Sequence, residues 1–245
     1  MNGFSPARRL HRTLTSALEK SPDWSAAQVL CTVFGADHTV RSEAYAIFAE
    51  LLRLAGKARV HVESNAALNQ DLYRGPIDDV LRILASGQID LPWRHFAGPL
   101  SGAVMRSLEF CAEKMDELAD ETEVAPDQIL QLKELVEDLI NDLVHSTIDR
   151  TLRDALLFRL EDIRTVLQRY LLYGVDGIAR ATENAIGTAV VRRPPPESPS
   201  EAQSMFEKFV AICKKVGTVA SAAKKVLDLF EPVIRTLKLT FGQDN

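Results

Sequence analysis

Cysteine is scarce in this chain, and its scarcity argues against two classes of small protein. The 245 residues contain three cysteines, Cys31, Cys111 and Cys213, an odd number placed far apart. A disulfide framework needs paired cysteines, and zinc motifs need cysteines or histidines at short fixed spacings. We therefore expect neither a disulfide-stapled fold nor a zinc knuckle, and we expect a reducing, cytoplasmic location.

Catalytic signatures are also missing. None of the five histidines has a second histidine four residues away, and the glycines are scattered instead of forming a phosphate-binding loop. No serine nucleophile elbow and no kinase signature occurs. The sequence therefore predicts no cofactor and no catalytic residue.

Long apolar runs and an excess of positive charge are absent as well. No run approaches the roughly 18 residues that a membrane-spanning helix needs. The N-terminal stretch 7–12 is basic and is not followed by an apolar segment, so no signal peptide is expected. The formal net charge is −5, which makes nucleic acid an unexpected partner.

Strand-like alternation is limited to Val60–Glu63, whereas apolar residues recur at helical spacing along most of the chain. The sequence predicts an all-α fold, an irregular bundle of about eight to ten helices with a proline-tethered, amphipathic C-terminal segment. Ser5-Pro6, Gly75-Pro76 and Ala125-Pro126 are predicted helix starts, because proline suits a first helical turn. Residues 88–99 are predicted to form an ordered loop pinned by Trp93 and Phe96.

Composition divides the chain into four predicted regions. These are an N-terminal helical region, a central bundle with an acidic surface, a proline-rich linker and a basic amphipathic segment, at residues 1–100, 101–192, 193–200 and 201–245. The linker is expected to be stiff, because proline favours extended polyproline geometry.

Charge is distributed unevenly along these regions. Residues 109–142 contain twelve acids against Lys114 and Lys133, whereas the sign reverses after residue 205. Such an acidic segment is usually a solvated face, but it is also a candidate docking surface for a basic partner or for the chain's own lysine-rich end. The acids chosen as candidate interaction residues are Glu113, Glu117 and Asp120.

The C-terminal segment carries an apolar stripe that lasts about five heptads. Its candidate contact residues are Phe206, Phe209, Val216, Leu227, Phe230 and Ile234, with Lys214, Lys215, Lys224 and Lys225 on the opposite face. Three interpretations remain open: the stripe packs on the helical body, it associates with a second copy or a partner helix, or it lies on an anionic membrane. Pro232 breaks the stripe and favours the first interpretation.

One weak candidate metal site contains Asp142, His145 and Asp149, spaced to share one face of a single helix. Di-iron bundles use Glu-x-x-His from two helices together with further glutamates, and only one such half is present. The alternative role for Asp149 is that of a helix cap.

The sequence therefore predicts a non-catalytic helical interaction protein, an adaptor, regulator or accessory subunit, in a bacterial cytoplasm. A role in defence or toxin control would suit such a chain. The first alternative is a membrane-acting effector that uses the C-terminal helices. The second is a carboxylate-dependent helical metalloenzyme.

Overall fold

The computed structural model describes residues 3–66, 68–100 and 102–223. Over these ranges the chain forms helices and no strands, and only two isolated β-bridges occur. The helices are α1 Pro6–Leu18, α2 Ala26–Val33, α3 Arg41–Glu63, α4 Gln70–Ala85, α5 Arg94–Leu100, α6 Ala103–Glu117, α7 Pro126–His145, α8 Arg150–Gln168, α9 Tyr170–Val191 and α10 Ser200–Ala223. The predicted all-α class and the predicted number of helices are confirmed.

Helix starts follow local capping chemistry. Ser5 caps α1 by accepting a hydrogen bond from the amide of Arg8, and Pro6 occupies the first turn. Pro126 likewise begins α7. Both starts agree with the prediction, because the Ser5 cap and the two prolines lie at the first turn of the helix that they begin.

Two local predictions are corrected, and the one short alternating run is assigned to a helix. Helix α4 begins at Gln70, since Asn69 accepts a hydrogen bond from Leu72, and Pro76 therefore lies inside the helix. The alternating residues Val60–Glu63 are the last turn of α3. The predicted loop at residues 88–99 contains most of α5, although Trp93 and Phe96 are buried, as expected of residues that pin this segment. Their rings are stacked, with centroids 5.4 Å apart.

The chain divides into two compact units. The first comprises Met1–Thr122 together with Leu171–Gly174, and the second comprises Glu123–Tyr170 and Val175–Asn245, of which residues up to 223 are described. In the first unit α1 packs against α3 and α6, and α3 also packs against α2 and α4. Leu10, Leu14 and Trp93 are among its fully buried side chains.

A buried arginine lies beside a helix kink in the first unit. Arg9 is 1% exposed, its Nη1 donates to the carbonyl oxygen of Leu172 over 3.3 Å, and its Nη2 lies 3.8 Å from Glu121 Oε2. Gly174 interrupts α9 with φ 64° and ψ −167°, a conformation that is open essentially to glycine alone. A Cβ added to Gly174 would lie 2.3 Å from Arg9 Nη1, so the guanidinium fills the space that a side chain would need.

The second unit is organised around α7, which packs against α8 and α10. Along α10, Phe206, Phe209 and Val216 are buried. Lys208 of α10 pairs with Asp142, and Glu201 of α10 bonds to Thr147 just after α7. Residue numbers therefore increase in opposite directions along the two facing segments. The two helices are therefore antiparallel.

Candidate functional site

The outer ridge of α7 carries carboxylates that form no ion pair with any described residue. Its buried face consists of Ile129, Leu132, Val136, Leu139, Ile140 and Leu143. At 3.6 residues per turn, the opposite side presents Asp127, Glu134 and Asp138, and all three are exposed. Their Cα atoms span about 16 Å along the helix axis, given a rise of 1.5 Å per residue.

Ion pairs flank this ridge on both sides. Asp142 Oδ2 lies 2.7 Å from Nζ of Lys208 in α10, and Glu137 Oε1 lies 3.4 Å from Nη1 of Arg164 in α8. Within the part of the chain that the structure describes, Asp127, Glu134 and Asp138 make no ion pair. Cations of α8 and α10 thus neutralise Glu137 and Asp142 on the two flanks of α7, and the outer ridge between them stays negatively charged.

Three further properties distinguish this outer ridge from an ordinary solvated face. Glu134 and Asp138 are four residues apart, and like charges at this spacing destabilise a helix by about 0.2–0.5 kcal/mol. Leu130 lies on the same side of α7 and is 55% exposed. The only lysine of α7, Lys133, is half-buried about 100° away from Glu134, and burial lowers its pKa. An unpaired acidic ridge with one apolar residue suits a segment that is both basic and apolar.

The acids of α6 and the loop after it are compensated in part. Asp116 pairs with Arg8 at 2.6 Å, Glu117 pairs with Lys114, and Glu121 lies 3.8 Å from Arg9. Burial lowers the pKa of His11, and the neighbouring carboxylates of α6 oppose that shift. This part of the acidic segment therefore has less unbalanced charge than its sequence indicates.

The candidate interaction residues Glu113, Glu117 and Asp120 are all exposed. Glu113 contributes to the field around His11, and Asp120 contributes to that around His61, where burial is the main influence and lowers the pKa. They lie in the first unit, where Glu113 and Glu117 are one turn apart on α6 and Asp120 follows the end of that helix. The unpaired acids of α7 belong to the same acidic segment, but the sequence did not single them out.

The described half of the C-terminal stripe lies in the core of the second unit. Phe206, Phe209 and Val216 are at most 4% exposed, so a partner could reach them only if α10 left the unit. Lys214 is half-buried and Lys215 is exposed. The remaining candidates, Leu227, Phe230, Ile234, Lys224 and Lys225, lie outside the described residues.

The metal candidates are held apart by the end of a helix. Helix α7 ends at His145, because Ser146 turns to an extended conformation with ψ 155°, and Asp149 caps α8 by accepting a hydrogen bond from the Leu152 amide. Asp149 therefore does not share the helical face of Asp142 and His145, contrary to the prediction. Asp142 is paired with Lys208. Among the described residues, no three His, Cys, Asp or Glu side chains are placed to hold a metal ion.

The thiols are buried and weakly acidic. Burial raises the pKa of Cys213 to about 12 and that of Cys111 to about 11. A thiol that stays protonated is a poor nucleophile, because the thiolate is the reactive form. Lys214 and Lys215, which follow Cys213 in sequence, do not reverse this effect.

Comparison with known proteins finds no relative: no protein-family model, no curated protein and no solved structure matches this chain. The described helices also contain none that is both long enough and apolar enough to cross a membrane.

Proposed function

We propose that this chain is a non-catalytic helical interaction protein that docks a basic, apolar segment of another protein on the outer ridge of α7. The observation that carries the proposal is the set of three exposed carboxylates, Asp127, Glu134 and Asp138, beside exposed Leu130. Paired charges on both flanks of α7 support it, because they show that neighbouring helices do not supply the cations for the ridge.

The ridge geometry defines the partner. A helix with Lys or Arg at seven- and four-residue intervals would place its cations at the spacing of the three carboxylates. An apolar side chain between the cations would cover Leu130. Exposed charge pairs are individually worth less than about 1 kcal/mol, so the three pairs would contribute mainly to association rate and specificity.

Charge reversal with a matched control tests this function. The ridge variant carries Asp127→Lys, Glu134→Lys and Asp138→Lys, and the control carries Glu113→Lys and Glu117→Lys on α6. Tagged full-length chains are used to capture proteins from the native host, and the captured proteins are identified by mass spectrometry. We expect at least one protein that the wild type and the control retain and the ridge variant loses.

A second arm uses a defined probe, a synthetic amphipathic helix with lysines at the intervals given above. Its affinity is measured by fluorescence anisotropy at low and high salt. Binding should weaken with salt, because screening shortens the range of charge interactions to about 8 Å at physiological ionic strength. Equal binding of this probe to the wild type and the ridge variant, together with no ridge-dependent protein in the capture, would refute the proposal. Anionic vesicles serve as the probe for the alternative membrane-acting function.

A further inference from the structure

Four exposed apolar side chains lie beside an exposed ion pair in the first unit. They come from the loop before α2, the start of α3 and the loop before α5, and they are Trp24, Val40, Tyr45 and Leu91. The aromatic patch comprises these four residues together with Arg41 and Asp90. Tryptophan, tyrosine and arginine are enriched among the few residues that dominate the energy of protein–protein contacts. The composition of the patch is therefore typical of an interaction surface.

Backbone hydrogen bonds fix the two loops of the patch. The amide of Ala26 donates to the carbonyl oxygen of Leu91 over 2.9 Å. The amide of Trp93 donates to the carbonyl oxygen of Trp24 over 2.6 Å, and Trp93 itself is fully buried. Because the loops are already held against the core of the unit, binding does not have to order them, and this lowers the entropic cost of association.

Arg41 connects α3 to these loops. Its Nη2 lies 2.6 Å from Asp90 Oδ2 and 3.5 Å from the hydroxyl of Tyr45. Its guanidinium carbon lies 6.0 Å from the centre of the Tyr45 ring. Asp90 directly precedes Leu91 in the chain. These contacts therefore bring the α3 side of the patch next to its loop side.

Each partner of this ion pair still has bonding capacity. Both side chains are more than half exposed, at 67% for Arg41 and 59% for Asp90. Among the described residues, Arg41 bonds through Nη2 and Asp90 through Oδ2. A guanidinium has five N–H donors, and a carboxylate has two oxygens that can accept. Nη1 of Arg41 and Oδ1 of Asp90 can therefore each bond to a further group at the surface.

We propose that the aromatic patch binds the same patch of a second copy of this chain. A twofold interface uses one surface on both copies, so Arg41 of one copy meets Asp90 of the other, and the reverse. The patch contains both partners that this reciprocity requires. Tyr45 and Trp24 of each copy are then covered by the other. The inference does not depend on the function proposed for the outer ridge of α7.

The charges of the patch favour its own copy as the occupant. A second exposed ion pair borders Trp24, where Arg94 Nη1 lies 3.1 Å from Asp23 Oδ1. Like charges that face each other across an interface disfavour association strongly. Close pairs of opposite sign avoid that cost when the surface meets itself, whereas the acidic outer ridge of α7 would repel a second copy.

Mixing of charge-reversed variants tests the inference. Full-length chains with Arg41→Asp or Asp90→Arg are examined by analytical ultracentrifugation, alone and as an equal mixture. Concentrations extend from about 1 μM to about 1 mM, because interfaces of standard size have dissociation constants from micromolar to picomolar. We expect the wild type to dimerise, and each variant alone to dimerise at least about tenfold more weakly, since like charges then face each other.

The mixture should recover the dimer. An acid at position 41 of one copy then faces an arginine at position 90 of the other, and the second reciprocal contact also joins opposite charges. Damage within a single chain would not be repaired by mixing. Recovery is therefore specific to a contact between copies.

Removal of the aromatic contact supplies a second test. Tyr45→Glu should weaken dimerisation at least about tenfold. The matched control is Phe110→Glu, at an exposed aromatic residue of α6 in the same unit, and it should leave the dimer unchanged. Circular dichroism checks that both variants are folded. Iodide quenching of tryptophan fluorescence should fall as the wild-type concentration rises, because Trp24 becomes covered while Trp93 is buried throughout.

Four outcomes would contradict the inference. The first is a wild-type chain that stays monomeric over the whole concentration range. The second is a dimer that Tyr45→Glu leaves intact, because the copies would then meet through another surface. The third is equal weakening by Phe110→Glu, which would indicate non-specific apolar association. The fourth is a mixture that dimerises no better than its two components, because Arg41 and Asp90 would then not meet across copies.

Discussion

Replacing Gly174 with alanine should destabilise the first unit severely, for two reasons: backbone strain at Gly174 and a steric conflict with Arg9. The backbone at Gly174 has φ 64° and ψ −167°, and a residue with a Cβ in such a region costs of order 1–3 kcal/mol. The new Cβ would also lie 2.3 Å from Arg9 Nη1 and 2.5 Å from Arg9 Cζ. The guanidinium would have to move away from Leu172 and Glu121, and a lost hydrogen bond to a charged group costs about 1.5–3 kcal/mol.

Together these effects predict a loss of roughly 3–5 kcal/mol in the free energy of unfolding. Urea denaturation followed by tryptophan fluorescence is the suitable assay, because both tryptophans, Trp24 and Trp93, lie in the same unit as Gly174. The matched control is Gly56→Ala in α3, where an added Cβ meets nothing within 4 Å. It should stabilise the unit by about 0.5–1 kcal/mol, since alanine is the better helix former.

A double-mutant cycle separates strain from steric conflict. In an Arg9→Met background, the flexible methionine can yield to the new Cβ, so the cost of Gly174→Ala should fall to the strain alone, about 1–3 kcal/mol. If the urea midpoint of the single Gly174→Ala variant equals or exceeds that of the wild type, the argument from positive φ and Arg9 packing is wrong.

Three further predictions concern the second unit. Its unfolding free energy should fall by up to about 1.4 kcal/mol per pH unit above pH 9 owing to Cys213. Burial raises the pKa of the Cys213 thiol to about 12, so the thiol loses its proton at lower pH in the unfolded state than in the folded state. In urea titrations monitored by circular dichroism, a Cys213→Ala variant should therefore lose less unfolding free energy at alkaline pH than the wild type. Phe209→Ala should cost about 3–5 kcal/mol and exposed Phe158→Ala less than about 0.5 kcal/mol, and equal thermal shifts would contradict the burial pattern. Asp149→Ala should cost about 1 kcal/mol by removing the cap of α8, whereas Asp149→Asn should preserve stability; a metal-dependent stability change in either variant would instead favour the metal site.

Local features of the fold were predictable where their causes are local. The start at Ser5-Pro6 rests on the capping hydroxyl of Ser5, and the start at Pro126 rests on the proline in the first turn. The start of α4 was misplaced because two signals compete in the same stretch. Asn69 supplies the cap, and Pro76 then lies inside the helix, where proline is unfavourable but tolerated.

The candidate site was only partly predictable. The sequence identifies an acidic segment, but most cations that neutralise parts of it come from distant positions. Arg8 is 108 residues from Asp116, and Lys208 is 66 residues from Asp142. A composition count cannot reveal such pairs, so it cannot show which acids of α6 and α7 form ion pairs and which do not.

The sequence by itself determined the all-α class, the approximate number of helices and the amphipathic character of α10, because helical periodicity and capping depend on neighbours within one or two turns. Tertiary structure alone decided which charges remain unpaired and that Phe206, Phe209 and Val216 are core residues. It also decided that Gly174 must leave room for Arg9. These outcomes depend on contacts between residues far apart in the chain, which the folded packing creates and local sequence patterns do not encode.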